Sequence, residues 1–88
     1  MDFVVKPINK GEYFTVTLKD YPQITGNGSN PAEAAVDLIC HLPNDLAIEA
    51  FEDVIDGLQT MWALQYFAMH AGDPLKTRAR TMIADLQK

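Results

Sequence analysis

The sequence predicts an α+β protein, with a three-stranded antiparallel sheet and one packed helix, followed by two C-terminal helices (β-β-β-α-α-α). Three observations predict this class. Apolar and polar residues alternate over 13–19, which is typical of a half-buried strand. Residues 30–33 carry a helix-start pattern, and from 44 onward apolar residues recur at helical spacing.

The first two strands are expected to form a hairpin. Residues 3–6 are mostly β-branched and aromatic, which favours a strand. Residues 9–12 are typical of a turn, because Gly11 can adopt a positive φ angle at little cost. The second strand then follows over 13–19, and its apolar side is predicted to consist of Phe14, Val16 and Leu18.

The third strand is expected to be short. Tyr21-Pro22 interrupts the extended pattern, so only Ile24-Thr25 is predicted as strand before residues 26–28 turn the chain. Backbone amides of residues 26–29, just before a helix, could instead hold an anion. A plain turn is favoured over an anion site, because the segment lacks the lysine and the spacing of a phosphate-binding loop.

The first helix has a well-defined predicted start. Asn30 suits the N-cap, Pro31 suits the first helical position, and the side chain of Glu33 can reach back to the cap. Pro43 then ends the helix, because proline cannot continue the hydrogen-bond ladder. We therefore expect a helix over 31–42 that packs on the sheet.

The remaining chain predicts two helices, one long helix from residue 44 to about 71 and one that begins at Asp73-Pro74. Large apolar residues surround the second half of the long helix, and one small sheet cannot cover them all. They belong either to the core or to a subunit interface. A self-association surface is predicted at Met61, Trp62, Leu64, Tyr66, Phe67 and Met69.

The length of 88 residues favours a single domain that spans residues 1–88. We expect it to consist of a sheet-and-helix unit at 1–43 and a helical extension at 44–88 that serves oligomerisation. A core this small is marginal when it stands alone, which favours a homo-oligomer, a dimer first. The formal net charge of −5 disfavours attraction to phosphate backbones, so nucleic acid is not the expected partner.

Charge is distributed unevenly along the helices. Residues 44–71 contain five acidic and no Lys or Arg residues, whereas 72–88 contain four basic and two acidic residues, so opposite charges can meet within a chain or between subunits. Four carboxylates recur at steps of three and four along one helical face: Glu49, Glu52, Asp53 and Asp56. A face of this kind can simply face solvent, hold a divalent cation or dock a basic partner. We predict that these four residues dock a basic partner.

The sequence predicts no catalytic residue, no cofactor and no metal site. Its one cysteine, Cys40, excludes an intramolecular disulfide, and next to Ile39 it is expected to be a buried small residue. His41 and His70 lie on different predicted helices without a metal-binding spacing. The chain also lacks a signal-peptide pattern and a long apolar span, so we expect a cytoplasmic protein without membrane contact.

The segment 19–34 resembles the signature of HicB-type antitoxins, in which the second strand runs into Pro-Asp-Leu-Pro-Gly and a later turn precedes a helix that opens with Glu-Glu-Ala. The resemblance covers about half of the chain, together with the preceding hairpin. Aligned without gaps, the matching residues are Asp20, Pro22, Gly28, Glu33 and Ala34.

This resemblance implies a partial ribonuclease-H-like β-β-β-α unit over residues 1–42. It also implies a dimer that binds a small ribonuclease toxin of the HicA type and blocks its active site. The C-terminal DNA-binding segment of HicB proteins has no counterpart at 44–71, because that region carries no Lys or Arg.

Taken together, the sequence predicts a non-enzymatic protein-binding module that resembles a HicB-type antitoxin and occludes a small basic partner. The alternative is a phage or mobile-element accessory protein of structural function, which only self-assembles. A small basic protein recovered with the chain would favour the first, and homo-oligomers alone would favour the second.

Overall fold

The structure is a computed structural model that describes residues 2–54 and 61–87. It confirms the α+β class and the antiparallel three-stranded sheet, which is followed by four described helices rather than three. The elements are β1 (Phe3–Ile8), β2 (Tyr13–Leu18), β3 (Tyr21–Gly28), α1 (Pro31–His41), α2 (Asn44–Val54), α3 (Met61–His70) and α4 (Leu75–Leu86).

The hairpin between β1 and β2 forms as predicted. Phe3 pairs with Leu18 at one end, and Ile8 pairs with Tyr13 at the other. Gly11 adopts a φ angle of +89° and donates its backbone N–H to the carbonyl of Ile8 at 3.1 Å. The glycine therefore supplies the left-handed backbone that this turn requires.

Strand β3 is longer than the sequence predicts. Pro22 does not interrupt it, because β3 is an edge strand and the register between β2 and β3 shifts between Val16 and Leu18. Proline lacks a backbone N–H and is tolerated at edges and irregularities of this kind. The expectation of a brief strand at Ile24-Thr25 is therefore wrong, since the strand spans eight residues.

The glycines expected to form a turn at 26–28 lie inside β3 instead. They are required there because α1 packs directly on this strand. A Cβ atom on Gly26 would overlap the backbone of Ala34 and of Leu38, and one on Gly28 would overlap Ala34. Glycine thus allows the helix and the strand to approach closely.

Helix α1 begins as the capping pattern predicts. The side-chain oxygen of Asn30 accepts a hydrogen bond from the backbone N–H of Glu33 at 2.9 Å. The Glu33 carboxylate accepts one from Ser29, the residue before the cap, also at 2.9 Å. The helix ends at His41, one residue before the predicted end.

The prediction of one long helix from 44 to about 71 is wrong. The rings of Phe51 on α2 and Phe67 on α3 meet with their centroids 5.2 Å apart. In one straight helix, the sixteen residue steps from Phe51 to Phe67 would span about 24 Å. Residues 44–71 therefore do not form one straight helix, and residues 55–60, which connect α2 to α3, lie outside the described residues.

One continuous hydrophobic core joins the sheet to the helices. Val16 on β2, Leu38 on α1, Phe51 on α2, Phe67 on α3 and Leu75 on α4 all belong to it. Helix α3 packs against both α1 and α4. The C-terminal helices thus cover one another and the sheet-and-helix unit, which is how a short chain removes apolar surface from water.

No helix in the described part of the chain has both the length and the apolar character needed to cross a membrane.

Candidate functional site

The four acidic residues predicted to dock a partner occupy different environments. Glu49 is exposed on α2 and lines a cavity. The Glu52 carboxylate pairs with the Arg78 guanidinium at 2.8 Å. Asp53 is exposed on α2, and Asp56 lies outside the described residues. Of the four predicted residues, Glu49 is therefore the one that the structure places beside a cavity that a partner could enter.

Arg78 brings the acidic and basic helices together within one chain. Its guanidinium carbon lies 5.3 Å from the centroid of the Phe51 ring, in addition to its ion pair with Glu52. An aromatic face and a carboxylate both attract a guanidinium group. Opposite charges on α2 and α4 thus meet inside the protomer at this point.

Glu49 lines a cavity of about 320 Å³ that we call the acidic cavity. Two further carboxylates come from distant parts of the chain: Asp2 precedes β1, and Asp20 lies in the turn between β2 and β3. The backbone N–H of Lys19 donates to the carbonyl of Asp2 at 2.9 Å and fixes the start of β1 beside this turn. The described lining consists of Asp2, Leu18, Asp20, Tyr21, Leu46 and Glu49.

The acidic cavity combines three negative charges with apolar side chains. Leu18, Tyr21 and Leu46 supply the apolar part, and none of the described lining residues is basic. Lysine and arginine side chains have an apolar stem and a cationic head. The cavity therefore has the chemistry to receive a basic side chain from another molecule.

A second cavity, of about 250 Å³, lies between α1, α3 and the end of β3, and we call it the aromatic-acidic cavity. Glu33 and Asp37 are one turn apart on α1, and Trp62 and Tyr66 are one turn apart on α3. Its described lining is completed by Asn27 and Gly28.

Backbone and phenol groups hold the two carboxylates of this second cavity. Asp37 accepts hydrogen bonds from the Asn27 backbone N–H at 2.9 Å and from the Tyr66 hydroxyl at 3.1 Å. Glu33 accepts one from the Ser29 backbone N–H. The amides that could have held an external anion at 26–29 thus bind the protein's own carboxylates at Asn27 and Ser29.

Asp37 also influences two titratable neighbours. Burial, together with the hydrogen bond and negative charge of Asp37, raises the pKa of the Tyr66 phenol above its ordinary value. Burial, and then the charge of Asp37, raises the pKa of the Cys40 thiol from 9.0 to about 12. At neutral pH the thiol is protonated, so it is not an activated nucleophile.

The two histidines have separate surroundings. His41 Nδ1 lies 2.7 Å from the backbone oxygen of Asp37, and its side chain is 62% exposed. The His70 ring packs on Tyr66 with the centroids 4.6 Å apart. Over residues 2–54 and 61–87, no group of three or more His, Cys, Asp or Glu side chains is arranged to hold a metal ion.

The predicted self-association set divides into buried and exposed members. Leu64 and Phe67 are fully buried in their own chain, so the expectation that the protomer cannot cover them is wrong. Packing of α3 between α1 and α4 is the physical reason. Tyr66 is half-buried. The exposed members are Met61 (36%), Trp62 (42%) and Met69 (72%).

Both cavities contain residues that the sequence did not single out for a site. Asp2 and Asp20 join Glu49 only because β1 begins beside the turn after β2. Glu33 was predicted to act in capping. The spacing of Glu33 and Asp37 could have indicated that they share one helical face. Tertiary packing places Trp62 and Tyr66 opposite them, and local sequence does not show this.

Comparison of the chain with protein-family models, with curated proteins and with solved structures finds no match.

Proposed function

We propose that this protein is a cytoplasmic, non-enzymatic protein-binding module that binds and occludes a small basic partner. The acidic cavity is the observation that carries this proposal. Three carboxylates, Asp2, Asp20 and Glu49, surround an apolar lining without a basic residue among its described members. A basic side chain of the partner would pair with the carboxylates while its stem covers the apolar residues.

The net charge of the chain supports a basic macromolecule as the partner. A formal charge of −5 on 88 residues creates a long-range field that attracts cationic proteins and repels phosphate backbones. Such complementarity raises the association rate and suppresses binding of wrong partners. A cavity of about 320 Å³ is at the small end of the range for small-molecule sites, roughly 300–1,000 Å³, and suits an anchoring side chain.

The resemblance to HicB-type antitoxins suggests which basic partner to test. The β-β-β-α order of β1 to α1 agrees with the unit that the resemblance implies. A HicA-type ribonuclease is then the candidate, and occlusion of its active site is the proposed action. DNA binding forms no part of the proposal, because α2 and α3 carry no Lys or Arg.

The experiment combines the protein with a purified HicA-type ribonuclease. Isothermal titration calorimetry should show a stoichiometric complex whose affinity falls as NaCl is raised, because charge attraction contributes to binding. Cleavage of a fluorescent RNA by the ribonuclease should stop in the complex. Absence of heat and undiminished RNA cleavage would overturn the proposal.

Self-assembly is a second candidate function, supported by the exposed apolar residues of α3. Met61 and Met69 both lie on this helix, and Met69 is the more exposed. Sedimentation equilibrium should detect a dimer that Met69→Glu dissociates. Leu86→Glu, at an exposed position on α4, is the matched control and should leave the dimer intact. A monomeric wild-type protein at all concentrations would contradict self-assembly.

A further inference from the structure

The aromatic-acidic cavity has a chemistry distinct from that of the acidic cavity. Two carboxylates, Glu33 and Asp37, line it from α1, and two aromatic rings, Trp62 and Tyr66, line it from α3. Carboxylates attract cations, and the faces of tryptophan and tyrosine attract them as well. All four side chains therefore favour the same kind of ligand, which is an organic cation.

The carboxylates are positioned before any ligand arrives. Asp37 is held by the Asn27 amide and the Tyr66 hydroxyl, and Glu33 is held by the Ser29 amide. Each carboxylate has lone pairs beyond those that these bonds use. A cation can thus bind without ordering these acidic side chains first, which lowers the entropic cost of binding.

Trp62 supplies an exposed surface beside these carboxylates. Its side chain is 42% exposed, although tryptophan is a residue type that proteins usually cover. Exposed tryptophan and tyrosine are common anchors at protein interfaces. The cavity of about 250 Å³ lies below the usual range for small-molecule sites, roughly 300–1,000 Å³, and has the size expected for one inserted side chain.

The protein itself shows which cation suits such surroundings. Arg78 lies over the Phe51 ring and pairs with the Glu52 carboxylate. A planar guanidinium can stack on a ring and donate to a carboxylate at the same time, whereas an ammonium group acts as a point charge. The aromatic-acidic cavity repeats this combination with one more ring and one more carboxylate, but without an arginine among its described lining residues.

We propose that the aromatic-acidic cavity is a binding site for an arginine side chain presented by a partner protein, with the guanidinium held between the α3 aromatic rings and the α1 carboxylates. This site is separate from the acidic cavity, so it does not depend on the function proposed for Glu49. The proposed arginine site requires that the aromatic-acidic cavity bind a guanidinium group more tightly than a neutral group of the same shape.

The test uses the full-length protein and N-acetyl-arginine amide, with N-acetyl-citrulline amide as the neutral isostere. The chain has one tryptophan, so the fluorescence of Trp62 reports on this cavity. Arginine amide should change the emission saturably, with half-saturation at roughly 1–10 mM. Citrulline amide should give no saturable change, because it lacks the positive charge.

Two variants establish whether the carboxylates carry the effect. Glu33→Gln keeps an oxygen for the Ser29 amide but removes the charge, and it should weaken arginine binding by roughly five- to tenfold. Asp73→Asn removes one charge beyond the opposite end of α3 and keeps an oxygen for Thr77, so it should leave binding within about twofold. Circular dichroism should confirm that both variants are folded.

Four outcomes would overturn the proposal. The first is an equal response to arginine amide and citrulline amide. The second is binding of N-acetyl-lysine amide that equals or exceeds the binding of arginine amide, because the site would then have no preference for a guanidinium group. The third is an equal effect of the two variants. The fourth is a change in Trp62 emission with protein concentration alone, which would show that a second copy covers the cavity.

Discussion

The ring of Phe67 packs edge to face against the ring of Phe51, with an interplanar angle of 83° and the centroids 5.2 Å apart. Both side chains are fully buried. This contact joins α2 to α3 and completes the core beneath α4. It therefore provides the most direct check on how the C-terminal helices are packed.

Replacing Phe67 by alanine should destabilise the protein by about 3–5 kcal/mol, because a large buried ring is lost and a cavity remains. Such a loss can unfold a domain this small, so Phe67→Leu, which should cost less than about 3 kcal/mol, is the milder variant. Urea denaturation measures both. Met69→Ala, at a 72% exposed position on the same helix, should change stability by less than about 0.5 kcal/mol. Equal effects at the two positions would contradict this packing.

The close contact of α1 with β3 predicts different effects for two glycine substitutions. Gly26→Ala should cost about 3 kcal/mol, because its Cβ would overlap the backbone of Ala34 and Leu38, which cannot move independently. Gly72→Ala is the matched control. Its nearest neighbour would be the Asn44 side-chain oxygen at 3.9 Å, so stability should change little. Thermal unfolding of both variants should separate them, and a tolerated Gly26→Ala would exclude the observed helix position.

The ion pair of Arg78 with Glu52 should contribute modestly to stability. Both side chains are about half exposed, so solvent screens their attraction. A double-mutant cycle with Arg78→Gln and Glu52→Gln should give a coupling free energy of about 0.5–1 kcal/mol that decreases as NaCl is added. A coupling free energy above about 2 kcal/mol would contradict the structure, because it would require the ion pair to be shielded from solvent.

The raised pKa of Cys40 predicts how stability changes in alkaline solution. The folded protein holds the thiol proton more tightly than the unfolded chain, because the pKa rises from 9.0 to about 12 on folding. Stability linked to this group is complete below about pH 9 and is lost as the pH rises toward 12. Wild type should therefore lose unfolding free energy more steeply above pH 9 than Cys40→Ala. Urea denaturation at several pH values measures the unfolding free energy of both proteins. If it falls equally with pH in wild type and Cys40→Ala, the pKa of Cys40 is not raised.

The sequence predicts local structure well where a few neighbouring residues decide it. Asn30, Pro31 and Glu33 define the start of α1, and Gly11 identifies the first turn. Strand β3 was predicted too short, because Pro22 breaks strands in general but is tolerated at an edge with a shifted register. Whether a strand lies at an edge is a property of the whole sheet, which local pattern does not contain.

The long helix was mispredicted, and Leu64 and Phe67 were wrongly expected to stay uncovered by their own chain, for a related reason. Helical spacing continues across 44–71, so the pattern alone favours one helix. As two separate helices, α2 and α3 can place Phe51 against Phe67, and burial of Leu64 and Phe67 follows from the packing of α3 with α1 and α4. Periodicity along one segment cannot show which other segment will cover it.

The candidate site was predictable only in part. Glu49 stands out in an acidic helix, and the structure places it at a cavity. Asp2 and Asp20 are far apart in sequence and meet only through the hairpin register. Glu52, which shares the helical spacing of Glu49, pairs with Arg78 instead, and that partner is 26 residues away in the chain.

The central claim, that the acidic cavity docks a small basic protein, is tested most directly by reversing the charge of Glu49. Surface plasmon resonance would compare Glu49→Lys with Glu12→Lys in binding a purified HicA-type ribonuclease. Glu12 is the matched control because it lies at the opposite end of the hairpin from Asp2 and Asp20, about 17 Å along β1. We predict that Glu49→Lys weakens binding by roughly tenfold or more while Glu12→Lys changes it by less than about twofold. Equal effects of the two variants, or none from either, would contradict the claim.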